Sequence, residues 1–202
     1  MKNRSKIIEQ TIMKNLIYRM AALMLPVCLS SCAEGYDKRM MQVVEDWQGK
    51  EVQLPENSVF TIQGEDTVNM DISVGKYNHR VLVYVDSAGC TGCRLQLFAW
   101  KQFIAEVDSL VEDSVQFLFY LTPKNMEEAR YITLSEDFTH PMCIDKSNRI
   151  DHLNHFPEED MFHVFLLDRE NRVTVIGNPV RNNAVRSMFI KTMGGGDSEN
   201  KQ

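Results

Sequence analysis

The clearest pattern in the chain begins at Arg80. Val81-Leu82-Val83-Tyr84-Val85 is an unbroken β-rich apolar run, as expected of a central strand buried on both faces. Ser87, Ala88 and Gly89 supply a turn. Beyond it Cys93, Leu97, Trp100, Ile104 and Val107 recur at intervals of four, three, four and three, which predicts a helix with one apolar face and with Arg94, Lys101 and Asp108 on another. A second strand is expected over Val115 to Leu121. Next comes a helix opened by Thr122-Pro123, with Thr as N-cap and Pro in the first turn, then a short strand at Met142 to Ile144 and a brief helix near Arg149 to His155. The run Phe162-His163-Val164-Phe165-Leu166-Leu167, the turn Asp168 to Asn171 and the run Arg172 to Gly177 predict an antiparallel hairpin. A last helix is expected over Asn182 to Thr192.

Ahead of this block the pattern is weaker. Met40, Met41, Val44 and Trp47 fall at helical spacing and Gly49 stops them. Short extended pieces near Val52 and over Val59 to Ile62 are interrupted by Pro55 and Gly64, and together these segments predict an appendage packed on the main sheet. Strands alternating with helices imply parallel pairing with right-handed crossovers. The expected fold is therefore α/β, a central mixed sheet with flanking helices and a C-terminal antiparallel hairpin.

Composition narrows the class. With 202 residues, 44% hydrophobic and 25% charged, and only ten Gly and six Pro, the chain is neither low-complexity nor fibrous. Five of the 22 basic residues and one of the 28 acidic residues precede Cys32, which leaves 17 against 27 and a net charge near -10 for the remainder. An acidic domain without a basic stripe has no footprint for a phosphate backbone, so no nucleic-acid partner is expected. A core of this size needs no disulfide staple, and the cysteines are free for chemistry.

Residues 16 to 31 form the only long apolar run, and the core from Met20 to Leu29 is too short to span a bilayer stably. Leu29-Ser30-Ser31-Cys32 resembles a bacterial lipobox. That resemblance implies a signal peptide over 1-31, acylation of Cys32, and a lipid-anchored protein of the bacterial cell envelope. Ala33 after the cysteine points to the outer membrane. An ordinary secretory signal is the alternative, and Met13 offers a second start with Lys14 as its basic flank. Several acyl chains hold a protein on a membrane durably, at about 0.8 kcal/mol per buried methylene. The expected organisation is a signal peptide at 1-31, a tether and helix at 32-46, a folded domain at 47-193 and a disordered tail at 194-202.

Cys90-Thr91-Gly92-Cys93 lies between the first strong strand and the first strong helix. Unpaired N-H groups and the helix dipole stabilise a thiolate there, and such cysteines have pKa values of about 3.5 to 7.5 against about 8.5 for a free thiol. Cys90 is the expected nucleophile. Cys93, on the apolar face, suits a resolving thiol that attacks once a mixed disulfide has formed. Along the strand Leu82, Tyr84 and Asp86 share a face, so Asp86 is a candidate proton acceptor for Cys93. Capping of the turn by the same carboxylate is the alternative.

These residues resemble the thioredoxin-like superfamily, and within it the extracytoplasmic TlpA/ResA-like thiol-disulfide oxidoreductases. The likeness spans roughly residues 47 to 192 and includes Gly49-Lys50-Glu51-Val52, the strand-helix pair at 141 to 155 and the Phe165-Leu166-Leu167-Asp168 run. It implies a thioredoxin-like fold that exchanges disulfides with exported protein thiols or disulfides and needs no cofactor. The sequence departs from the family at Gly89, where a Trp is usual, at Thr91-Gly92, which lacks a Pro, and at Tyr84, in place of a buried acid. The facing cis-proline aligns with Phe162. A trans Phe162 beside the cysteines predicts slower, more partner-selective exchange.

Two other functions fit the same residues: a thioredoxin-fold binding lipoprotein with little catalysis, and a copper carrier. For the latter, Cys90 and Cys93 with His152, His155 or His163 resemble the Sco-type carriers, whose cysteines are three residues apart rather than two. No set of four ligands is complete, so no metal is assigned. His163 within an apolar run reads as a hydrogen-bonded core residue, and Cys143 in a short strand as a small buried hydrophobe. The acidic clusters Glu127-Glu128 and Glu158-Glu159-Asp160 read as solvated faces. No GxSxG elbow supports hydrolysis.

Overall fold

The computed structural model describes residues 13, 36, 38–88, 95–112 and 115–194. The chain divides into two compact units, Met1–Glu45 and Asp46–Gln202. In the first, residues 38–45 are helical, with Met41 and Val44 exposed and Met40 half-buried; Trp47, the last of the expected apolar positions, belongs to the second unit and is buried. The signal segment, Cys32 and the tail from 195 onward lie outside the described residues, and so do Cys90 and Cys93.

The second unit is built on one seven-stranded sheet. Its strands are β1 (Phe60–Ile62), β2 (Asp66–Val68), β3 (His79–Val85), β4 (Val115–Leu121), β5 (Met142–Ile144), β6 (Val164–Leu167) and β7 (Val173–Ile176), in spatial order β2-β1-β5-β4-β3-β6-β7. Strands β3, β4 and β5 are parallel, joined through helices α1 (Leu97–Leu110) and α2 (Met126–Ser135). The β6–β7 hairpin adds antiparallel to β3, with Val83 opposite Val164, and the predicted turn at Asp168–Asn171 closes it. Helices α3 (Arg149–Asn154) and α4 (Asn183–Thr192) complete the unit.

The register fixes which residues meet. Val81, Val83 and Val85 lie beside Phe117, Phe119 and Leu121, and these six pack with Trp100, Phe103, Ile104 and Val107 of α1 and Phe189 of α4 in one buried cluster. The opposite face collects aromatic rings: Trp47, Tyr84, Phe156 and Phe165 pack with centroids 4.9 to 5.6 Å apart. A strand buried on both sides has no solvated face, which is why β3 and β4 lack polar alternation over their central residues.

Three expectations need correction. The helix after β4 begins at Met126, not at Thr122-Pro123. Asn125 is the N-cap and accepts from the Glu127 and Glu128 amides, whereas the Thr122 hydroxyl donates instead to Asp145 O and Asn148 Oδ1 at 3.2 and 3.1 Å. A side chain already engaged with the loop after β5 cannot also cap a helix. Glu127 and Glu128 thus stand in the first turn, favourably placed for the helix dipole. Second, the extended pieces before Arg80 do not lie on the sheet; they extend it. β1 pairs antiparallel with β5, while Gly49 and Val52 donate to Val173 and Asn171 carbonyls at 2.8 Å on the opposite edge. The short β2 therefore forms one edge of the sheet, and residues 49–52 pair with the start of β7 at the other. Third, the helix after β3 does not run smoothly into α1. Leu95 is helical, but Gln96 has a left-handed φ of 45° and interrupts the helix before Leu97.

Candidate functional site

The end of β3 that leads to Ala88 is where the described residues converge on polar chemistry. The chain leaves the strand at Val85, and Asp86 turns it: its Oδ1 accepts from the Ala88 amide at 2.7 Å. The carboxylate therefore does cap a turn, through Ala88 rather than Ser87. On the neighbouring strand, a 3-10 turn at Asp160–Phe162 delivers His163 immediately before β6. The Tyr84 amide donates to the His163 carbonyl at 2.9 Å, which extends the β3–β6 ladder and sets the two strand ends side by side.

His163 is buried, as its apolar context predicts, and its Nε2 lies 2.7 Å from the Pro157 carbonyl. A carbonyl oxygen only accepts, so Nε2 carries a proton and donates. In the neutral ring Nδ1 is then the basic nitrogen, and it lies 3.9 Å from Asp86 Oδ2. The Tyr84 ring packs against the imidazole with centroids 4.9 Å apart, and its hydroxyl donates to Asn148 Oδ1 at 2.9 Å. Tyr84, where the resembled family has an acid, is thus a packing residue with a fixed hydrogen bond.

Beside His163 is a cavity of about 10 Å³, lined by Tyr84, Trp100, Asp160, His163, Asn178 and Arg181 among others. That volume is about the minimum that holds one water molecule. Arg181 ties the rim together: Nη1 donates to Asp160 Oδ2 and Nε to Gln96 Oε1, both at 3.1 Å. One guanidinium thereby links the loop after β7, the turn before β6 and the residue at which α1 begins.

Cys90 and Cys93 belong to the six residues between Ala88 and Leu95 that the structure does not describe. Phe162, expected to face them, is 5% exposed and belongs to the 3-10 turn, next to the equally buried His163. Its peptide bond is trans, as expected. The residue at the mouth of β6 is His163. His152 and His155 are both exposed on or next to α3, and among the described residues no group of three His, Cys, Asp or Glu side chains converges as a metal site. Cys143 is a free, buried thiol in β5, and burial pushes its pKa up to about 11, in keeping with a small apolar core residue. Asn178 and Arg181 escaped the sequence reading, and Asp160, expected on a solvated acidic face, pairs with Arg181. Their signal was weak: only Asn178, following Gly177 at the end of a predicted strand, stood at a recognisable element boundary.

No family model and no curated relative matches this chain. Solved structures do. The solution structure of a protein assigned as a disulfide isomerase from Bacteroides thetaiotaomicron is 14% identical, covering 73% of this chain and 87% of that one, with a TM-score of 0.51. The crystal structure of a protein assigned as the thiol:disulfide interchange protein DsbE from Chlorobium tepidum is 16% identical, covering 73% and 98%, with a TM-score of 0.52. At such identities the likeness establishes architecture. The chain has a thioredoxin-like fold, a mixed α/β sheet with flanking helices.

Proposed function

We propose that this chain is a thiol-disulfide oxidoreductase of the bacterial cell envelope, in which Cys90 attacks a disulfide of an exported protein and Cys93 resolves the adduct. The observation that carries the reading is the position of the CxxC in the chain. It falls in the chain connection between β3, an inner strand paired with β4 and β6, and α1, where the open N-H groups of a helix start would favour a thiolate. The polar pocket at the end of β3, with a histidine and a carboxylate beside it, supports the same reading, because exchange requires protons to move as thiols become thiolates. Lipidation at Cys32 would tether the domain to a membrane, here assigned to the outer membrane, with the disulfides or thiols of exported proteins as its partners.

The test is trapping in the intact chain. Cys93→Ser should accumulate mixed disulfides with envelope proteins, and Cys90→Ser should not. Equal absence of adducts from both, with the Cys90-Cys93 pair never cycling at any physiological thiol poise, sinks the reading in favour of a binding module. For the anchor, Cys32→Ser should move the protein to the soluble envelope fraction and abolish acyl labelling; unchanged membrane retention rejects that part.

A further inference from the structure

We propose that the pocket between α2 and the sheet is a binding site for a small uncharged apolar molecule, about the size of a single benzene ring. Such a site would take its ligand whether or not the cysteine pair exchanges disulfides.

Helices α1 and α2 bury very different side chains. α1 buries Trp100, Phe103, Ile104 and Val107, whereas the buried residues of α2 are Ala129 and Thr133, one turn apart. Small side chains on a helix held over a sheet leave room beneath it. That room is a pocket of about 110 Å³. Leu121 and Ile144, paired at the ends of β4 and β5, line its sheet side with Met142, and Thr61 of β1 is the register partner of Met142. Met126, Ala129, Arg130 and Thr133 line its helix side.

Polar contacts hold α2 in place at both ends and along its flank. Asn125 caps its start, Lys101 Nζ donates to the Glu136 and Asp137 carbonyls beyond its end at 3.1 and 3.3 Å, and Arg130 pairs with Glu65 in the turn between β1 and β2. Settling onto the sheet to close the pocket would break these contacts.

The lining sets the chemistry of the ligand. Leu121, Met126, Met142 and Ile144 are apolar, and the polar groups among them are largely engaged: the Thr133 hydroxyl donates to the Arg130 carbonyl at 2.8 Å, and the Arg130 guanidinium is paired with Glu65. An ordered water needs two to four polar partners, which this lining offers at few points, whereas an apolar cavity of roughly 150 Å³ takes benzene or xenon. Charge is disfavoured as well. Glu127, exposed in the first turn of α2, also lines the pocket and repels an anion, and desolvation opposes any charged ligand. A neutral ring or branched chain of up to about six carbons fits both the volume and the lining.

Benzene is the probe, added to the full chain and followed by methyl NMR. The Leu121, Met142 and Ile144 methyls should shift together and saturably, with a Kd on the order of 1 mM for so small a ligand, and should show nuclear Overhauser contacts to the benzene protons. Benzoate, the same ring carrying a charge, should bind roughly tenfold more weakly or worse. Ala129→Met, which extends a flexible apolar side chain from the helix into the pocket, should weaken benzene binding by roughly tenfold or more. Shifts that never saturate, contacts spread over methyls elsewhere, or benzoate binding as tight as benzene each overturn the proposal. So does a folded Ala129→Met chain that binds benzene as the native chain does. The contacts to benzene are read in the native protein, so they decide even if Ala129→Met does not fold. A native chain that binds benzene here but exchanges no disulfide keeps this site and loses the thiol-exchange reading; one that exchanges disulfides but binds no benzene loses only this site.

Discussion

The two ends of β3 bury polar side chains for opposite purposes. At the start of the strand Arg80 is fully enclosed, 0% exposed, and donates to Gln116 Oε1 at 2.7 Å, to Asn171 Oδ1 and to the Ser73 carbonyl. Gln116 passes the connection on to the Asp71 carbonyl at 2.9 Å. Every one of these acceptors is neutral and fixed. Burial pulls the Arg80 pKa down from its ordinary value, but a guanidinium keeps its charge in proteins, so Arg80 has a single protonation state. At the far end the His163 imidazole donates through Nε2 to the Pro157 carbonyl and has Asp86 Oδ2 3.9 Å from Nδ1, so this end pairs an imidazole with a carboxylate. A buried polar cluster with one protonation state is a fastener. One with two can do chemistry.

The largest effect should come from breaking the fastener. Arg80→Met strands two buried acceptors, on Gln116 and Asn171, and hydrogen bonds to charged groups contribute about 1.5 to 3 kcal/mol each, so urea unfolding should show a loss of about 3 kcal/mol or more. The pH profile of thiol exchange in the folded fraction should not move; if it does, the two ends are coupled and the contrast fails.

Cys143 gives a second contrast, a buried titratable group within the core of the sheet. Its pKa is raised from 9.0 to about 11, first by burial and then by the nearby Asp145. The folded state therefore keeps a proton that the unfolded chain releases, so its contribution is complete below pH 9 and is lost as pH rises toward 11. A two-unit shift corresponds to a loss of about 2 kcal/mol over that window, which Cys143→Ala should remove from the pH dependence of unfolding. Alkylation at pH 8 followed by mass spectrometry should leave Cys143 unmodified in the folded protein; rapid labelling there would contradict its burial.

A smaller effect is expected at Asn171, which has a left-handed φ of 61° and accepts from Arg80. Asn171→Gly keeps the backbone and deletes only the acceptor, so about 1 to 2 kcal/mol should be lost in urea unfolding. A larger loss would assign the hairpin turn itself a greater share than the side chain.

Smallest in stability is the rim of the chemical end. Arg181→Ala removes a partly exposed ion pair, worth less than about 1 kcal/mol in denaturant titration. A stability loss of several kcal/mol would make this end a fastener too.

Legibility followed the kind of signal each element carries. β4 and β5 ran over the predicted residues, and α4 began one residue late because Asn182 caps it from outside, accepting from the Ala184 and Val185 amides. Unbroken apolar runs and 3.6-residue periodicity are local, and burial only reinforces them. The start of α2 was misplaced because Thr122 and Asn125 are equally good caps in isolation, and only the loop after β5 occupies the Thr122 hydroxyl. Arg80 looked like the edge of a strand. Nothing local told that three acceptors, from Ser73, Gln116 and Asn171, would enclose it.

The sequence by itself determined the strand-helix order, the central position of Val81 to Val85, and the two cysteines at the junction that follows, because each depends on side-chain type and spacing within one segment. Tertiary structure alone decided that His163, just before β6, lies opposite Asp86, and that Arg181 joins the turn at Asp160 to the start of α1. Those relations depend on the antiparallel register of β3 and β6 and on a 3-10 turn, which bring together residues 77 and more positions apart in the chain. Contacts across such distances follow from how strands pair, and a one-residue change of register would put different side chains in the pocket.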